Sequence, residues 1–245
     1  MLKLGSVHDY PEIFHTQKTD ALLSDREVVE YGRLHDFRER RRWLLRRVVL
    51  KDLAMEYLSS YQKRYYPLNT IEIHEPAGSP LAHIHCLMHQ PEEPTLYALA
   101  SSDGEMAAGF VMPCVENLRA GLSIRRVERC YPFMIDKSFS ADEEAYLRGH
   151  SDQDVDASTL LILEVKRLCN ELFPEMRGKG VFHVGHVDGD DQVFLDKRRL
   201  ALPGAFNQSW VHSWHWDDYV ILLAMFFSRD TLAAGFDAST LMDWA

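Results

Sequence analysis

The chain has 245 residues, of which 46% are hydrophobic and 26% are charged, and its formal net charge is −10. This length fits one large domain or two small ones fused into a single body, with enough apolar residues for a substantial core. No run of about eighteen apolar residues occurs in the sequence, which excludes a membrane-spanning helix. The acidic balance argues against nucleic acid as the main partner.

The N-terminus and the cysteines together predict a cytoplasmic protein. Residues 1–8 contain no apolar signal core, so nothing in them predicts export. Four cysteines are scattered along the chain without paired spacing: Cys86, Cys114, Cys130 and Cys169. Such a distribution favours a reduced, cytosolic setting over a disulfide framework.

The first quarter of the chain predicts one long helix. Residues 1–20 are mixed and polar, and we expect an irregular lead-in there. From Ser24 or Asp25 to about Tyr57, apolar residues recur every three, four or seven positions, which is the spacing of a buried helical stripe. Eight basic residues also gather in this region: Arg33, Arg38, Arg40, Arg41, Arg42, Arg46, Arg47 and Lys51. They suit a phosphorylated ligand or an acidic partner, although a solvated helix face is the favoured interpretation.

The rest of the chain predicts short antiparallel strands. Alternating apolar residues and bounding turn residues indicate strands at Thr70–His74, Thr95–Ala100, Met106–Met112, Gly121–Val127, Val181–Val184, Gln192–Leu195, Ser209–Trp216 and Tyr219–Phe227. Asp103 and Gly104 predict the turn of a hairpin between the second and third of these strands.

Two further helices are predicted in the second half. Ser140 and Glu143 form a capping box at the start of a short helix. A longer helix is predicted to begin at Asp156 or Ser158 and to end before Pro174. Each half of the chain thus combines one long helix with a few antiparallel strands. We therefore predict an α+β fold of two similar halves packed together.

A series of segments resembles the motifs of the Sfp-type phosphopantetheinyl transferases, especially the transferase domains within polyketide synthases. In chain order, these segments are Arg42–Asp52, Ile71–Ile73 with Gly78–Pro80, Tyr97–Ser102, Gly121–Arg125, Phe139–Glu143, Leu160–Val165 and the closing hairpin Trp210–Phe226. The resemblance covers residues 25–228 through the order and spacing of its motifs. It implies two pseudo-symmetric α+β halves, residues 1–120 and 121–245, each a long helix on a small antiparallel sheet.

The resemblance also implies a chemistry and a set of site residues. Sfp-type transferases move 4'-phosphopantetheine from coenzyme A to a serine of an acyl carrier protein, using magnesium held by carboxylates and basic residues that grip phosphate. Arg42 matches a family arginine that contacts coenzyme A. Ser101 and Ser102 stand in the coenzyme A loop where the family has Ser-His-Ser, with Ser101 in place of the histidine. Glu164 keeps the helix carboxylate, which makes it the catalytic and metal-binding candidate.

Several positions depart from the family pattern. Ser123 stands where the family has aspartate, Arg125 where it has glutamate, and Leu163 where it has lysine. One carboxylate beside an arginine makes a poor magnesium site. A register shift of a few residues would instead offer Glu116 or Glu128 as ligands, and Arg125 could neutralise a phosphate in place of a metal.

Two functions follow from this pattern. The substitutions at Ser101, Ser123 and Arg125 favour a non-catalytic relative that binds a carrier protein or another domain of a polyketide or fatty-acid synthase. The alternative is an active transferase. In either case we expect Ser123, Arg125 and Glu164 to meet in the cleft between the halves. In the non-catalytic relative, Arg125 and Glu164 would form an ion pair there that holds the halves together in place of a metal.

Two other groups of residues could form sites. His83, His85 and His89 would share one face of a strand and are ligands that zinc uses, but the usual paired spacing is missing. A surface strand or loop is therefore favoured there. One face of the predicted strand Ser209–Trp216 carries His212, Trp214 and Trp216 in alternation, which is more typical of sheet packing than of base stacking.

Overall fold

The structure, a computed structural model, describes residues 1–16, 19–63, 65–76, 79, 81–88, 96–128, 139–149, 155–176, 182–187, 193–195, 202 and 206–228. These residues form an α+β protein with antiparallel sheets and, in the ranges just given, five α-helices. They divide into two compact units, with the division between Val115 and Glu116. None of the helices in the described ranges is long and apolar enough to cross a membrane.

The first unit is an antiparallel sheet covered on one face by a long helix. Its strands are β1 (Leu2–Ser6), β2 (Ile71–His74), β3 (Ala82–Cys86), β4 (Leu96–Asp103) and β5 (Met106–Pro113), in the order β1-β5-β4-β3-β2. Its helices are α1 (Pro11–Thr16), α2 (Asp25–Arg33) and α3 (Phe37–Gln62). Leucines of α3, including Leu50 and Leu53, pack in one core cluster with Ile71 and Ile84 of the sheet.

The second unit has the same kind of layering. Its strands are β6 (Leu118–Arg126), β7 (Val184–Val187), β8 (Val193–Leu195), β9 (Phe206–Trp216) and β10 (Tyr219–Ser228), and its helices are α4 (Ala141–Arg148) and α5 (Val155–Leu172). The sheets are β6-β10-β9 and β7-β8. A Cβ atom at Gly121 would lie 2.7 Å from Leu168 Cδ1, so glycine allows α5 to approach β6 closely.

Several predicted local features are confirmed. The predicted hairpin of β4 and β5 is present, but its turn residues are Gly104 and Glu105, because Asp103 is still paired with Met106. Gly104 has φ = 58°, where glycine has no steric penalty. The capping box of Ser140 and Glu143 is present at the start of α4, with both of its hydrogen bonds formed. The mixed α+β class with antiparallel sheets is confirmed as well.

Two predictions about the first unit are wrong. Residues 1–20 are not an irregular lead-in, because β1 pairs with β5 along its whole length and α1 follows it. The single helix predicted from Ser24 is instead two helices. Asp36 begins the second of them, since its side chain accepts a hydrogen bond from the Glu39 N–H at 2.7 Å. Some positions of the sequence predictions lie outside the described residues: Gly78, Pro80, His89, Thr95, Cys130, Val181 and Gln192.

Candidate functional site

The second unit places a buried carboxylate against β6. The Ser123 hydroxyl donates a hydrogen bond of 2.6 Å to Glu164 Oε2, and Arg167 Nε donates to the same oxygen at 2.8 Å. Arg125 Nε lies 3.5 Å from the other carboxylate oxygen, Oε1. Arg167 Nη2 also donates to the Ser123 hydroxyl at 3.1 Å, which closes a ring of hydrogen bonds. We call these four residues the Glu164 cluster.

Strand and helix periodicity explain why these side chains meet. Ser123 and Arg125 are two positions apart on β6, so both project from the same face as Gly121, the face that carries α5. Glu164 and Arg167 are three positions apart on α5 and are therefore neighbours on the helix surface. Ser123 is 1% exposed and Glu164 8% exposed. The side chains of Arg125 and Arg167 remain 41% and 35% exposed.

The cluster holds Glu164 in its ionised form. Burial raises the pKa of Glu164, but hydrogen bonds from Arg167 and Ser123 and the charges of Arg167 and Arg125 lower that pKa to a net value below the ordinary one. Burial likewise lowers the pKa of Arg167, and its pairing with Glu164 and Glu171 raises it to a net value above the ordinary one. The carboxylate is thus charged and already neutralised by guanidinium groups.

These residues do not fit a magnesium ion. Magnesium requires several oxygen ligands in near-octahedral geometry, usually with one or two carboxylates. Here both oxygens of Glu164 face donors or cations, and the neighbouring side chains on β6 are the Ser123 hydroxyl and the Arg125 guanidinium. Across the described residues, no three His, Cys, Asp or Glu side chains are placed to hold a metal ion.

The structure brings together Ser123, Arg125 and Glu164, which the sequence analysis singled out. All of them belong to the second unit, so the expectation that the Arg125–Glu164 pair joins the two halves is wrong. Glu116 and Glu128, the alternative ligands, lie just beyond the two ends of β6. Arg167 was not predicted. Its spacing of three residues from Glu164 on a predicted helix could have indicated the ion pair.

The predicted coenzyme A contacts lie in the first unit. Arg46 Nη1 on α3 donates a hydrogen bond of 3.2 Å to the Ser102 hydroxyl on β4. Arg42, one helical turn earlier, is exposed and makes no hydrogen bond or ion pair with any residue in the described part of the chain. Ser101 precedes Ser102 on the strand, so its side chain projects from the other face of β4. Arg42, Arg46 and Ser102 therefore form one basic and polar face, which we call the Arg42 face.

The basic cluster is not one uniform surface. Lys51 is 0% exposed; its Nζ donates to a Glu27 carboxylate oxygen and to the carbonyl oxygens of Leu22 and Leu68. Arg47 is also buried, with Nη1 3.2 Å from Glu75 Oε1. The interpretation as a solvated helix face is therefore wrong for Arg47 and Lys51.

Aromatic rings of β9 pack against one another along one face of the strand. His212 is buried, and its ring centroid lies 5.5 Å from that of Trp210 and 4.4 Å from that of Trp214. Trp216, at the end of β9, is 54% exposed. The central imidazole is thus packed between its neighbours, while the indoles of Trp210 and Trp214 are half-buried.

Comparisons with known proteins add no family assignment. No protein-family model matches the chain, and no curated protein matches it.

We expect Glu164→Gln to destabilise the protein by about 1–3 kcal/mol at pH 7, because it removes a charged acceptor of buried hydrogen bonds. Two of its partners reach solvent, which favours the lower end of that range. A carboxyl whose folded pKa is lowered stabilises the protein above its unfolded pKa of about 4.3 and loses this effect as the pH falls through the folded value.

Urea unfolding of the wild type and Glu164→Gln between neutral and acidic pH measures this contribution. The difference in free energy of unfolding between the two proteins is expected to shrink as the pH falls below about 4. Glu171→Gln, which removes the more exposed partner of Arg167, is the matched control and is expected to change stability by about 0.5 kcal/mol or less. An equal gap at all pH values would show that the charge of Glu164 contributes nothing.

Proposed function

We propose that this chain is a non-catalytic relative of the Sfp-type phosphopantetheinyl transferases. In this proposal it binds an acyl carrier protein or another domain of a polyketide or fatty-acid synthase and serves structure or regulation. The observation that carries the proposal is the Glu164 cluster. Its carboxylate is occupied by the Ser123 hydroxyl and by two arginines, at the place where the resemblance would put a magnesium ion.

The layering of the two units supports the fold in this proposal. The 26-residue helix α3 belongs to the five-stranded sheet, and the 18-residue helix α5 belongs to the three-stranded sheet. Both sheets are antiparallel, and a glycine allows close approach in each unit, at Gly109 beside Val49 and at Gly121 beside Leu168. We infer that the units are the two pseudo-symmetric halves of a transferase-like fold.

Binding without transfer is the chemistry that these residues suit. Phosphopantetheine transfer breaks a pyrophosphate bond, and charge that grows on the leaving phosphate must be stabilised, which magnesium does in the family. The Glu164 cluster offers no ligand set for that ion. The Arg42 face, in contrast, still presents an exposed guanidinium able to bind phosphate with charge-assisted hydrogen bonds. In the proposal, coenzyme A affinity depends on Arg42 and hardly on magnesium.

Calorimetric titration with coenzyme A, with and without magnesium, tests this division. We expect Arg42→Ala to weaken binding about tenfold, the effect of a hydrogen bond to a charged group of about 1.5 kcal/mol. Arg33→Ala, which removes another exposed arginine, is the control and should bind as the wild type does. Magnesium is expected to leave both affinities nearly unchanged. Strong binding that requires magnesium would contradict the proposal, as would an Arg42→Ala variant with unaltered affinity.

An active transferase is the second candidate. The observation that favours it is the side chain of Arg125, which remains 41% exposed although it faces Glu164. A guanidinium in that position could stabilise a phosphate in place of a metal. The transfer assay described in the Discussion distinguishes the two candidates, because only an active transferase converts the carrier serine.

A further inference from the structure

One face of the β2–β3 hairpin carries a compact array of polar side chains. In the antiparallel register, Glu72 pairs with His85 and His74 pairs with His83. Directly opposed residues of neighbouring strands project from the same face, so all four side chains lie together. The opposite face is buried through Ile71, Ile73 and Ile84. A shift of register would bury the polar set, so the core fixes the position of the array.

The imidazoles of this array are neighbours. The ring centroid of His85 lies 6.3 Å from that of His83 and 6.4 Å from that of His74. His85 is exposed, and His74 and His83 are half-buried. Side chains that reach solvent can change rotamer at modest cost, whereas the backbone beneath them is held by the sheet.

Arg26 of α2 contacts two side chains of this array, His74 and Glu72. Its Nη2 lies 2.6 Å from His74 Nδ1, and its Nη1 lies 3.4 Å from Glu72 Oε1. A guanidinium can only donate, so His74 Nδ1 is the acceptor in this contact. Arg26 also pairs with Glu30 at 3.2 Å, which gives the guanidinium a second partner if it leaves the histidine.

We propose that His74, His83 and His85 form a binding site for a divalent transition-metal ion, with Zn²⁺ as the probe. Neutral imidazole nitrogens are preferred ligands of this class of ions, and a cluster of three is a common zinc ligand set. Glu72, on the same face, supplies negative charge beside the ion. The ion would join β3 to β2, which is the edge strand of the five-stranded sheet.

The site is inducible, since the described side chains as they stand do not converge on one point. Two imidazoles that share an ion in tetrahedral geometry have ring centroids roughly 5 Å apart, for zinc–nitrogen distances of about 2.0–2.1 Å. The His85 ring must therefore approach each of the other two rings by about an ångström, and Arg26 must release His74. Arg26 is thus a competitor of the ion, both by its hydrogen bond and by its charge.

Calorimetric titration of the full chain with Zn²⁺ tests the site. We expect one equivalent to bind and the melting temperature to rise at about 100 µM Zn²⁺. His83→Gln, His85→Gln and His74→Gln should each weaken binding by about tenfold or more. Arg26→Gln should strengthen it several-fold, because the competing donor and its charge are gone. His35→Gln, which alters an exposed histidine elsewhere, is the control and should leave the affinity unchanged.

Specific results of these titrations would contradict the proposed metal site. No heat of binding at about 100 µM Zn²⁺, or binding that survives both His83→Gln and His85→Gln, would overturn the site. Weaker binding in Arg26→Gln would overturn the assignment of His74 as a ligand. Melting temperatures of all variants without zinc verify folding, and visible absorption of the Co²⁺-substituted protein gives a second measure of ligation. A Co²⁺ spectrum that is identical in the wild type and His85→Gln would contradict the proposal.

Discussion

Replacement of Lys51 by methionine is expected to lower the free energy of unfolding by about 3–5 kcal/mol, because it leaves the Glu27 carboxylate buried without its main partner. Both side chains are 0% exposed. Burial lowers the pKa of Lys51 against the opposing effect of Glu27, so the pair does not fully offset the cost of removing Lys51 from water. Removing Lys51 alone abolishes the favourable charge interaction, whereas the free-energy cost of burying the Glu27 carboxylate remains.

Lys51 also joins segments that are distant in the sequence. Its Nζ donates to the Leu22 carbonyl, 2.6 Å away before α2, and to the Leu68 carbonyl, 3.1 Å away before β2. Glu27 in turn accepts from the backbone N–H groups of Ser24, at 3.0 Å, and Ile73, at 3.2 Å. One ion pair therefore fixes α2 and β2 against α3, and its loss affects three elements at once.

Urea unfolding followed by circular dichroism measures the effect, with Arg38→Met as the matched control on the same helix. Arg38 is exposed, and its replacement is expected to change stability by about 0.5 kcal/mol or less. A double-mutant cycle with Glu27→Gln should reveal strong coupling, since removing the second partner costs less once the first is gone. A loss below about 1 kcal/mol in Lys51→Met would contradict a buried ion pair.

The burial of Arg47 and Lys51 could not be predicted from the local sequence pattern of α3. The apolar stripe of α3 was recognisable from its spacing, and the arginines flank it. Whether a flanking cation is solvated depends on what packs beside it, and here α2 folds back and places Glu27 against Lys51. The break between the two helices was missed for a related reason. Leu34 continues the apolar spacing, whereas the capping hydrogen bond of Asp36 ends it.

Long-range pairing accounts for the other missed elements. β1 is short and has few apolar residues, and its partner is the distant strand β5, with Leu2 opposite Phe110. Nothing near residue 2 in the sequence indicates that partner. The hairpin at Gly104 and the capping box at Ser140 were predictable, because every residue that forms them lies within a few positions.

The Glu164 cluster falls between these cases. An ordered series of motifs was enough to select Ser123, Arg125 and Glu164, since each occupies a definite place in a strand or a helix. Arg167 became relevant only when the register of α5 on β6 was known. Its guanidinium reaches both Glu164 and Ser123 because the helix approaches the strand closely at Gly121. The sequence therefore selected Ser123, Arg125 and Glu164 but not Arg167, which supplies the second guanidinium of the cluster.

The purified protein is expected to transfer phosphopantetheine to an apo acyl carrier protein at least about a thousandfold more slowly than an active Sfp-type transferase does. Metal stabilisation of the developing charge contributes several kcal/mol in such reactions. Each 1.36 kcal/mol is tenfold in rate, so a loss of about 4 kcal/mol corresponds to the expected factor. Under the proposed function, the rate would be lost because Ser123, Arg125 and Arg167 occupy the Glu164 carboxylate.

Mass spectrometry of an apo carrier incubated with the protein, coenzyme A and magnesium gives the readout, with an active Sfp-type transferase on the same carrier as the positive control. Calorimetry with the same carrier separates binding from transfer. Carrier binding without conversion is the expected result. Complete conversion within minutes at catalytic amounts of protein would establish the active transferase instead, and no binding of any carrier in a panel would remove carriers as partners.

Restoring the ligand set is the complementary experiment. Ser123→Asp with Arg125→Glu introduces the two carboxylates that the resemblance implies, but Arg167 Nε still donates to Glu164 at 2.8 Å and keeps that oxygen occupied. We therefore expect the double variant to bind magnesium weakly. The triple variant that also carries Arg167→Gln should bind magnesium at least about tenfold more tightly, because groups that hydrogen-bond to a metal ligand typically change metal affinity by that factor.

The control triple variant carries Arg148→Gln, which removes an exposed arginine of α4, in place of Arg167→Gln. Equal magnesium affinity in the double and triple variants would show that Arg167 does not block the site. Transfer need not return with the metal, because Ser101 and Leu163 still depart from the family pattern.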